Sequence, residues 1–144
     1  MKLVRRVLEN SPDHFLQKMK WQEFERIVKE VCDFHKFKTS FKVVFKDSEG
    51  KSEIDVVAER FQIVLCIDAK FYSAKRYRAS QLRKEAEKHV KRCKRYSKIK
   101  GCNVVPVIVS FIDDSIYFHE GCIVVPFDCL NDFIYYYLAL FNYL

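Results

Sequence analysis

The apolar residues between Trp21 and Phe34 recur at spacings of three and four. In WQEFERIVKEVCDF this spacing produces one apolar stripe with acids and lysines on the other side, which is typical of an amphipathic helix. The stripe consists of Trp21, Phe24, Ile27, Val28, Val31 and Cys32. We therefore predict a helix over about residues 20–34, preceded by a short helix that begins near Ser11, where an N-cap residue stands before a proline.

From residue 37 onward the apolar positions alternate with a period of two, as in β-strands. Three strands are predicted, near 37–46, 52–60 and 62–69, and Asp47-Ser48-Glu49-Gly50 between the first two is a hairpin turn signal. The third strand, QIVLCIDA, is almost continuously apolar. That composition is expected of a central strand covered on both faces.

Helical spacing returns over residues 76–98, on a basic segment with a thin apolar stripe that Gly101 would end as a C-terminal cap. A buried strand over 103–111, a hairpin within 115–125 and a helix from about Asp128 to the end are predicted next. The thin stripe consists of Leu82, Ala86, Val90, Cys93 and Ser97. This order of elements predicts the α/β class, with a mixed β-sheet flanked by α-helices.

The final segment, FIYYYLALFNYL, is apolar on all sides over about twelve residues, whereas a bilayer-spanning helix needs roughly 20. We expect no membrane span. A small domain leaves part of such a helix uncovered, so the segment predicts a homodimer that forms through this helix.

Composition agrees with one folded domain over residues 1–144, since 49% of the residues are hydrophobic and 15% aromatic. Three glycines and three prolines leave no linker-like stretch. The N-terminus has no apolar signal region, so the expected location is cytoplasmic.

Six cysteines are scattered along the chain without any C-x-x-C pair. This pattern favours buried, reduced thiols over a disulfide framework. A zinc site that combines Cys102, Cys122, Cys129 and His119 is the less favoured alternative, because the spacing typical of such sites is missing.

The net charge of +7 is concentrated in residues 75–100, where twelve Lys or Arg face only Glu85 and Glu87, a local charge of +10. The rest of the chain therefore carries about −3. A concentrated positive charge favours an anionic polymer such as nucleic acid as the partner, because neutralised phosphates release counterions. The alternative is an ordinary solvated helix face.

Charged residues also interrupt the apolar second and third strands. Alternation puts Glu53, Asp55 and Val57 on one face of the second strand, and Asp68 and Lys70 on one face of the third. Burying such charges costs several kcal/mol (order of magnitude) unless they are paired or bind a cation. Paired carboxylates suit Mg²⁺, and a nearby lysine suits phosphodiester hydrolysis. The simpler alternative is a strand-end salt bridge between Asp68 and Lys70, with Asp55 facing solvent.

E-I-D-V-V-A at 53–58, a turn and I-D-A-K-F-Y-S at 67–73 together resemble the core of Mrr-type restriction endonucleases and archaeal Holliday-junction resolvases. Both belong to the PD-(D/E)xK superfamily of restriction-endonuclease-like nucleases. The matching order of helix, hairpin, strand and helix extends over residues 20–98, more than half of the chain. The chain has Ile54 where the pattern has proline, and Asp68 where many Mrr-type members have glutamine.

The resemblance implies a role for each matching residue. Asp55 and Asp68 would bind the metal together with the carbonyl of Ala69, Lys70 would be the catalytic lysine, and Glu25 of the first helix would bind the metal directly or through water. For Glu25 the alternative is a surface pair with Lys29. The implied cofactor is Mg²⁺, with Mn²⁺ as a substitute.

The expected function is therefore a metal-dependent endonuclease that hydrolyses duplex or branched DNA. The first basic residues after the lysine would contact phosphates near the cut, and they are Lys75, Arg76, Arg78, Arg83 and Lys84. Tyr72, just before these residues, and Tyr77, among them, would stack on bases or pack in the core. A catalytically silent nucleic-acid-binding module of the same fold is the alternative function, whereas metal-free RNA processing is disfavoured by the paired carboxylates.

Overall fold

A computed structural model describes residues 21–71 and 78–141, and every structural statement below concerns these residues. The predictions for residues 1–20, for Tyr72, Lys75, Arg76 and Tyr77, and for the last three residues lie outside them. The described elements are α1 (Trp21–Phe34), β1 (Lys38–Asp47), β2 (Gly50–Arg60), β3 (Ile63–Lys70), α2 (Arg78–Lys100), β4 (Val105–Ser110), β5 (Phe118–His119), β6 (Cys122–Pro126), a 3₁₀ turn (Phe127–Cys129) and α3 (Leu130–Leu140).

The six strands form one mixed sheet in the order β1-β2-β3-β4-β6-β5. The pairs β1–β2, β2–β3 and β5–β6 are antiparallel, whereas β4 is parallel to both β3 and β6. Glu120 and Gly121 both have positive φ angles (49° and 92°), as the tight β5–β6 turn requires. The predicted α/β class with a mixed sheet is confirmed, as are both hairpins.

Strand β3 is buried at every residue, as its apolar sequence predicts. Its odd-numbered residues, such as Leu65 and Ile67, pack in a core with residues of α1 and α3. Cys66, with the opposite parity, packs in a second cluster with Cys93 of α2. Because strand side chains alternate between faces, α1 and α3 cover one face of the sheet and α2 covers the other.

The hairpin of β1 and β2 changes faces half-way along its length. Ile54 and Val56, two residues apart, pack in different cores, so the predicted regular alternation of 53–57 breaks at Asp55. On the neighbouring strand, Lys42 has a left-handed φ of 52°. The switch brings the hairpin tip over α2, where Arg95 donates two hydrogen bonds to the Asp47 carboxylate (2.7 and 2.8 Å).

Helix α2 ends where the sequence predicts. Gly101 has a φ of 68°, and its N–H donates to the Ser97 carbonyl (2.8 Å), which also accepts from Cys102 N–H (3.3 Å). These bonds form a left-handed glycine cap. The closing segment differs slightly from prediction, because a 3₁₀ turn precedes α3.

Helix α3 buries one side through Leu130, Ile134 and Leu138 and exposes the other. Tyr136 and Leu140 are 67% and 78% exposed. An uncovered face of this kind is what the dimer prediction assumes, although the dimer itself stays a prediction. Within residues 21–71 and 78–141, no helix is both long and apolar enough to cross a bilayer.

The cysteines are all free, and four of them are buried: Cys32, Cys66, Cys93 and Cys122. The expectation of buried thiols is wrong for Cys102 and Cys129, which are exposed because they lie in the segment after α2 and in the 3₁₀ turn. In the part of the chain that the structure describes, no three His, Cys, Asp or Glu side chains form a preformed metal site. This applies also to the residues of the zinc alternative, Cys102, Cys122, Cys129 and His119.

Candidate active site

Strands β2 and β3 separate just where their carboxylates lie. Val56 and Ile67 form the last backbone pair at this end, and Asp55 and Asp68 come directly after it. Beyond that pair, the Ala69 N–H donates to Asp55 Oδ2 (2.9 Å). A side chain thus replaces the backbone acceptor, and the two predicted acids face each other across the opening between the strands.

The two acids lie close enough to share a proton. Burial, together with the hydrogen bond and negative charge of Asp68, raises the pKa of Asp55 to about 8. Burial also disfavours the charged form of Asp68, but the hydrogen bond from Asp55 and the positive charge of Lys70 hold its pKa below the usual value. Near neutral pH the pair of carboxyl groups therefore favours holding one proton between them.

The predicted catalytic lysine lies beside this pair. Lys70 Nζ is 2.9 Å from Asp68 Oδ2 and 3.2 Å from Glu85 Oε2 of α2. It also lies 5.9 Å from the centre of the Trp21 ring. The strand-end salt bridge of the simpler interpretation is therefore present, but it is buried and includes a third partner from α2.

Glu25 is buried, with an exposed fraction of only 7%, so the alternative of a surface pair with Lys29 is wrong. Lys29 instead pairs with Asp33 at 2.9 Å. Burial raises the pKa of Glu25, and the negative charges of Glu53 and Asp68 raise it further. The positive charge of Lys42 lowers this pKa but does not cancel the increase. Its Oε2 atom is buried with no hydrogen-bond partner among the described residues.

The carbonyl of Ala69, predicted as a metal ligand, accepts a hydrogen bond from Trp21 Nε1 (3.0 Å). A carbonyl oxygen has two lone pairs, so one acceptor position is left for another partner. Trp21 therefore contacts both Ala69 and Lys70 from the first turn of α1.

Sequence reasoning did not single out Trp21, Glu85 or Lys42 as site residues. Glu85 offered a signal, because it is one of two acids in a strongly basic stretch. Lys42 carries a positive φ angle next to the site, which only the backbone geometry reveals. His89 of α2 is fully buried, and its Nε2 atom lies 2.9 Å from the Cys66 carbonyl oxygen.

The basic residues predicted to contact phosphate differ in their surroundings. Arg78 is ion-paired with Asp114 in the segment after β4, so its charge is already compensated. Arg83 and Lys84 are exposed on α2. The contribution of these three residues to nucleic-acid binding stays a prediction.

The donor set fits a hard divalent cation, even though the described residues form no ready cage. Mg²⁺ needs only one or two carboxylates and completes its shell with water and substrate oxygens. The proton shared by Asp55 and Asp68 and the unpartnered oxygen of Glu25 are the features that a cation would satisfy. Asp55, Asp68 and Glu25 are the residues that could hold it.

Comparison with known proteins identifies a relative but no described family. No family model matches the chain. An uncharacterized protein of Archaeoglobus fulgidus is 60% identical over 129 residues, which is 88% of this chain and 100% of the relative. The chain belongs to the family of that protein.

Solved structures show the fold. The small subunit (R.BspD6I2) of the heterodimeric restriction endonuclease R.BspD6I matches with a TM-score of 0.61 at 16% identity, over 93% of this chain and 76% of that one. AF1548, a protein of unknown function, matches with a TM-score of 0.50 at 28% identity, over 60% of this chain and 44% of that one. VC1899 from Vibrio cholerae matches with a TM-score of 0.51 at 16% identity, over 85% of this chain and 34% of that one. The chain has a restriction-endonuclease-like fold.

Proposed function

We propose that this protein is a Mg²⁺-dependent endonuclease of the Mrr and junction-resolvase type, which hydrolyses phosphodiester bonds in duplex or branched DNA. The convergence of Asp55, Asp68 and Lys70 where β2 and β3 separate carries the proposal. The buried Asp68 and Lys70 and the half-buried Asp55, which meet where two strands separate, serve no packing purpose. Such a group lowers stability unless it binds something.

Each residue has a chemical task in this proposal. Asp55 and Asp68 would hold the cation, with Glu25 binding it directly or through water, and the cation would supply Lewis-acid polarisation and a nucleophile from water. Lys70 neutralises the charge that develops on the phosphate. The Ala69 N–H fixes the Asp55 carboxyl group, and Trp21 fixes the Ala69 carbonyl. DNA as the substrate is supported by the concentrated charge of α2 and by the fold shared with a restriction-endonuclease subunit.

A silent binding module is the second candidate, and two contacts favour it. Lys70 is ion-paired with Asp68, and Trp21 occupies one acceptor position of the Ala69 carbonyl. In an active enzyme, the cation and the substrate phosphate would have to displace the first contact.

One assay separates the two candidates. Labelled linear, single-stranded, nicked and four-way-junction DNA is incubated with the protein in Mg²⁺, Mn²⁺ or EDTA. The nuclease proposal expects cleavage in Mg²⁺ or Mn²⁺ and none in EDTA. Binding without cleavage in either metal would establish the silent module instead.

We also propose that the protein forms a homodimer through the exposed face of α3, because Tyr136 and Leu140 leave an apolar surface uncovered. A two-fold dimer would present two sites for paired strand cuts. Light scattering should therefore give twice the mass of one 17.2 kDa chain, whereas the mass of a single chain would exclude the dimer.

Glu85 is a positioning residue for Lys70 in this proposal. We expect Glu85→Gln to lower kcat about tenfold while KM stays nearly constant, because the Lys70 amine loses the anionic partner that α2 supplies but the DNA surface is kept. Single-turnover and steady-state cleavage rates would measure the split.

Glu87→Gln is the matched control for Glu85, because it removes the same charge from the same helix. Its side chain is 52% exposed, and its ionic contact is with His119 at 3.8 Å rather than with Lys70. Equal kinetics for the two variants would contradict the positioning role, and Glu85→Asp should restore part of the lost rate.

A further inference from the structure

The arginines and the lysines of α2 have different surroundings. Three of its arginines are engaged: Arg78 pairs with Asp114, Arg92 donates to the Glu53 carbonyl (3.3 Å), and Arg95 binds Asp47. They fasten α2 to the strands and to the segment after β4. Two of the four arginine charges of this helix, those of Arg78 and Arg95, are therefore compensated by carboxylates within the fold.

Five exposed lysines form a stripe along the same helix, at successive spacings of four, three, three and four residues: Lys84, Lys88, Lys91, Lys94 and Lys98. At 100° per residue, these spacings keep all five within an arc of about 120°. Among the described residues, only Lys88 of the five meets a carboxylate, that of Glu85 at 4.0 Å. The lysine stripe therefore holds most of the uncompensated charge of α2.

The stripe lies on one continuous surface. Four of its lysines line an open groove of about 480 Å³ beside the β5–β6 turn, together with the acids Glu87 and Glu120. From Lys84 to Lys98 the stripe is roughly 21 Å long at 1.5 Å per residue, which matches about six base pairs of DNA. It begins beside Glu85, the residue in contact with Lys70.

We infer that the lysine stripe binds the phosphate backbone of a DNA duplex that extends away from the cut along α2. The inference rests on the proposed function for its substrate and adds the direction and the length of the DNA contact. A straight, rigid row of point charges suits a stiff duplex. A single strand would need aromatic platforms, and the only Phe, Tyr or Trp ring within Arg78–Lys100, that of Tyr96, is buried.

The test is the salt dependence of DNA binding by a variant of the stripe. Lys91, Lys94 and Lys98 are replaced together by glutamine, which keeps helix propensity and leaves Lys84, Glu85 and Lys88 intact. Binding of a duplex of about 24 base pairs is measured in EDTA between about 50 and 200 mM KCl. We expect the slope of log K against log salt to fall by about 2.7, and affinity to fall at least ~10-fold.

The matched control replaces the exposed Lys36, Lys38 and Lys51 by glutamine, which removes the same charge from segments other than α2. Its slope should change by less than about one. Equal slopes for the two triple variants would overturn the inference, as would a larger loss for single-stranded DNA of the same length.

The two proposals fail independently, because binding in EDTA does not require cleavage. If the protein never cleaves DNA but the stripe variant shows a smaller salt slope, the inference about the lysine stripe holds and the nuclease proposal fails. If the protein is a metal-dependent nuclease but the salt slope of the stripe variant does not change, the nuclease proposal holds and the inference about the stripe fails.

Discussion

Asp55→Asn is expected to cleave DNA about 10³-fold more slowly than the wild type, because anionic metal ligation contributes several kcal/mol to phosphoryl transfer. The same change should alter the free energy of unfolding by less than about 1 kcal/mol without metal. Asparagine is neutral, as protonated Asp55 is, and its amide oxygen can still accept the Ala69 N–H bond. The substitution therefore separates metal ligation from folding.

Two measurements check the expectation for Asp55→Asn. Single-turnover cleavage gives the rate, and thermal unfolding with and without Mn²⁺ gives metal binding, since a ligand that binds only the folded state raises the melting temperature. Mn²⁺ should raise the melting temperature of the wild type and of Asp132→Asn, an exposed acid of α3, but not of Asp55→Asn. Wild-type cleavage by Asp55→Asn would refute metal ligation by this residue.

Phe24→Ala is expected to lower the free energy of unfolding by about 3–5 kcal/mol, the usual cost of deleting a fully buried ring. Phe24 is 0% exposed, and its ring centroid lies 5.6–5.8 Å from those of Phe71, Phe111 and Phe127. The ring thus joins α1 to the ends of β3 and β4. Because Glu25 follows it directly, the loss should also loosen the site.

Urea unfolding measures the change caused by Phe24→Ala, and an unchanged m-value would show that the comparison is between similar states. Phe34→Ala is the matched control, because that ring is 68% exposed on the same helix and should cost less than about 0.5 kcal/mol. A loss below about 1 kcal/mol for Phe24→Ala would mean that α1 is not anchored by this ring.

The order of elements could be predicted because periodicity is a local property. The stripe of α1, the fully apolar β3 and the glycine after α2 each place an element without knowledge of its neighbours. Asp55, Asp68 and Lys70 were identifiable for a related reason. Charges inside apolar strands are conspicuous in sequence, whatever they contact.

The partners of those residues could not be predicted, because they come from distant parts of the chain. Trp21 bonds to a carbonyl 48 residues away, and Glu85 reaches Lys70 from a different element. The break in alternation at Asp55 depends on how the hairpin wraps over α2, which periodicity does not encode. Arg78 likewise pairs with Asp114, which comes from the segment after β4 and is 36 residues away in sequence.

Trp21 is the only tryptophan of the chain. Its indole N–H donates a hydrogen bond to the Ala69 carbonyl, and the centre of its ring lies 5.9 Å from the Lys70 amine. Indole emission responds to nearby charge, so any ligand that displaces that amine will change the intrinsic fluorescence of the protein. Titration with Mg²⁺ or DNA can therefore be followed optically, on unlabelled wild-type protein, at the residues proposed to perform the chemistry.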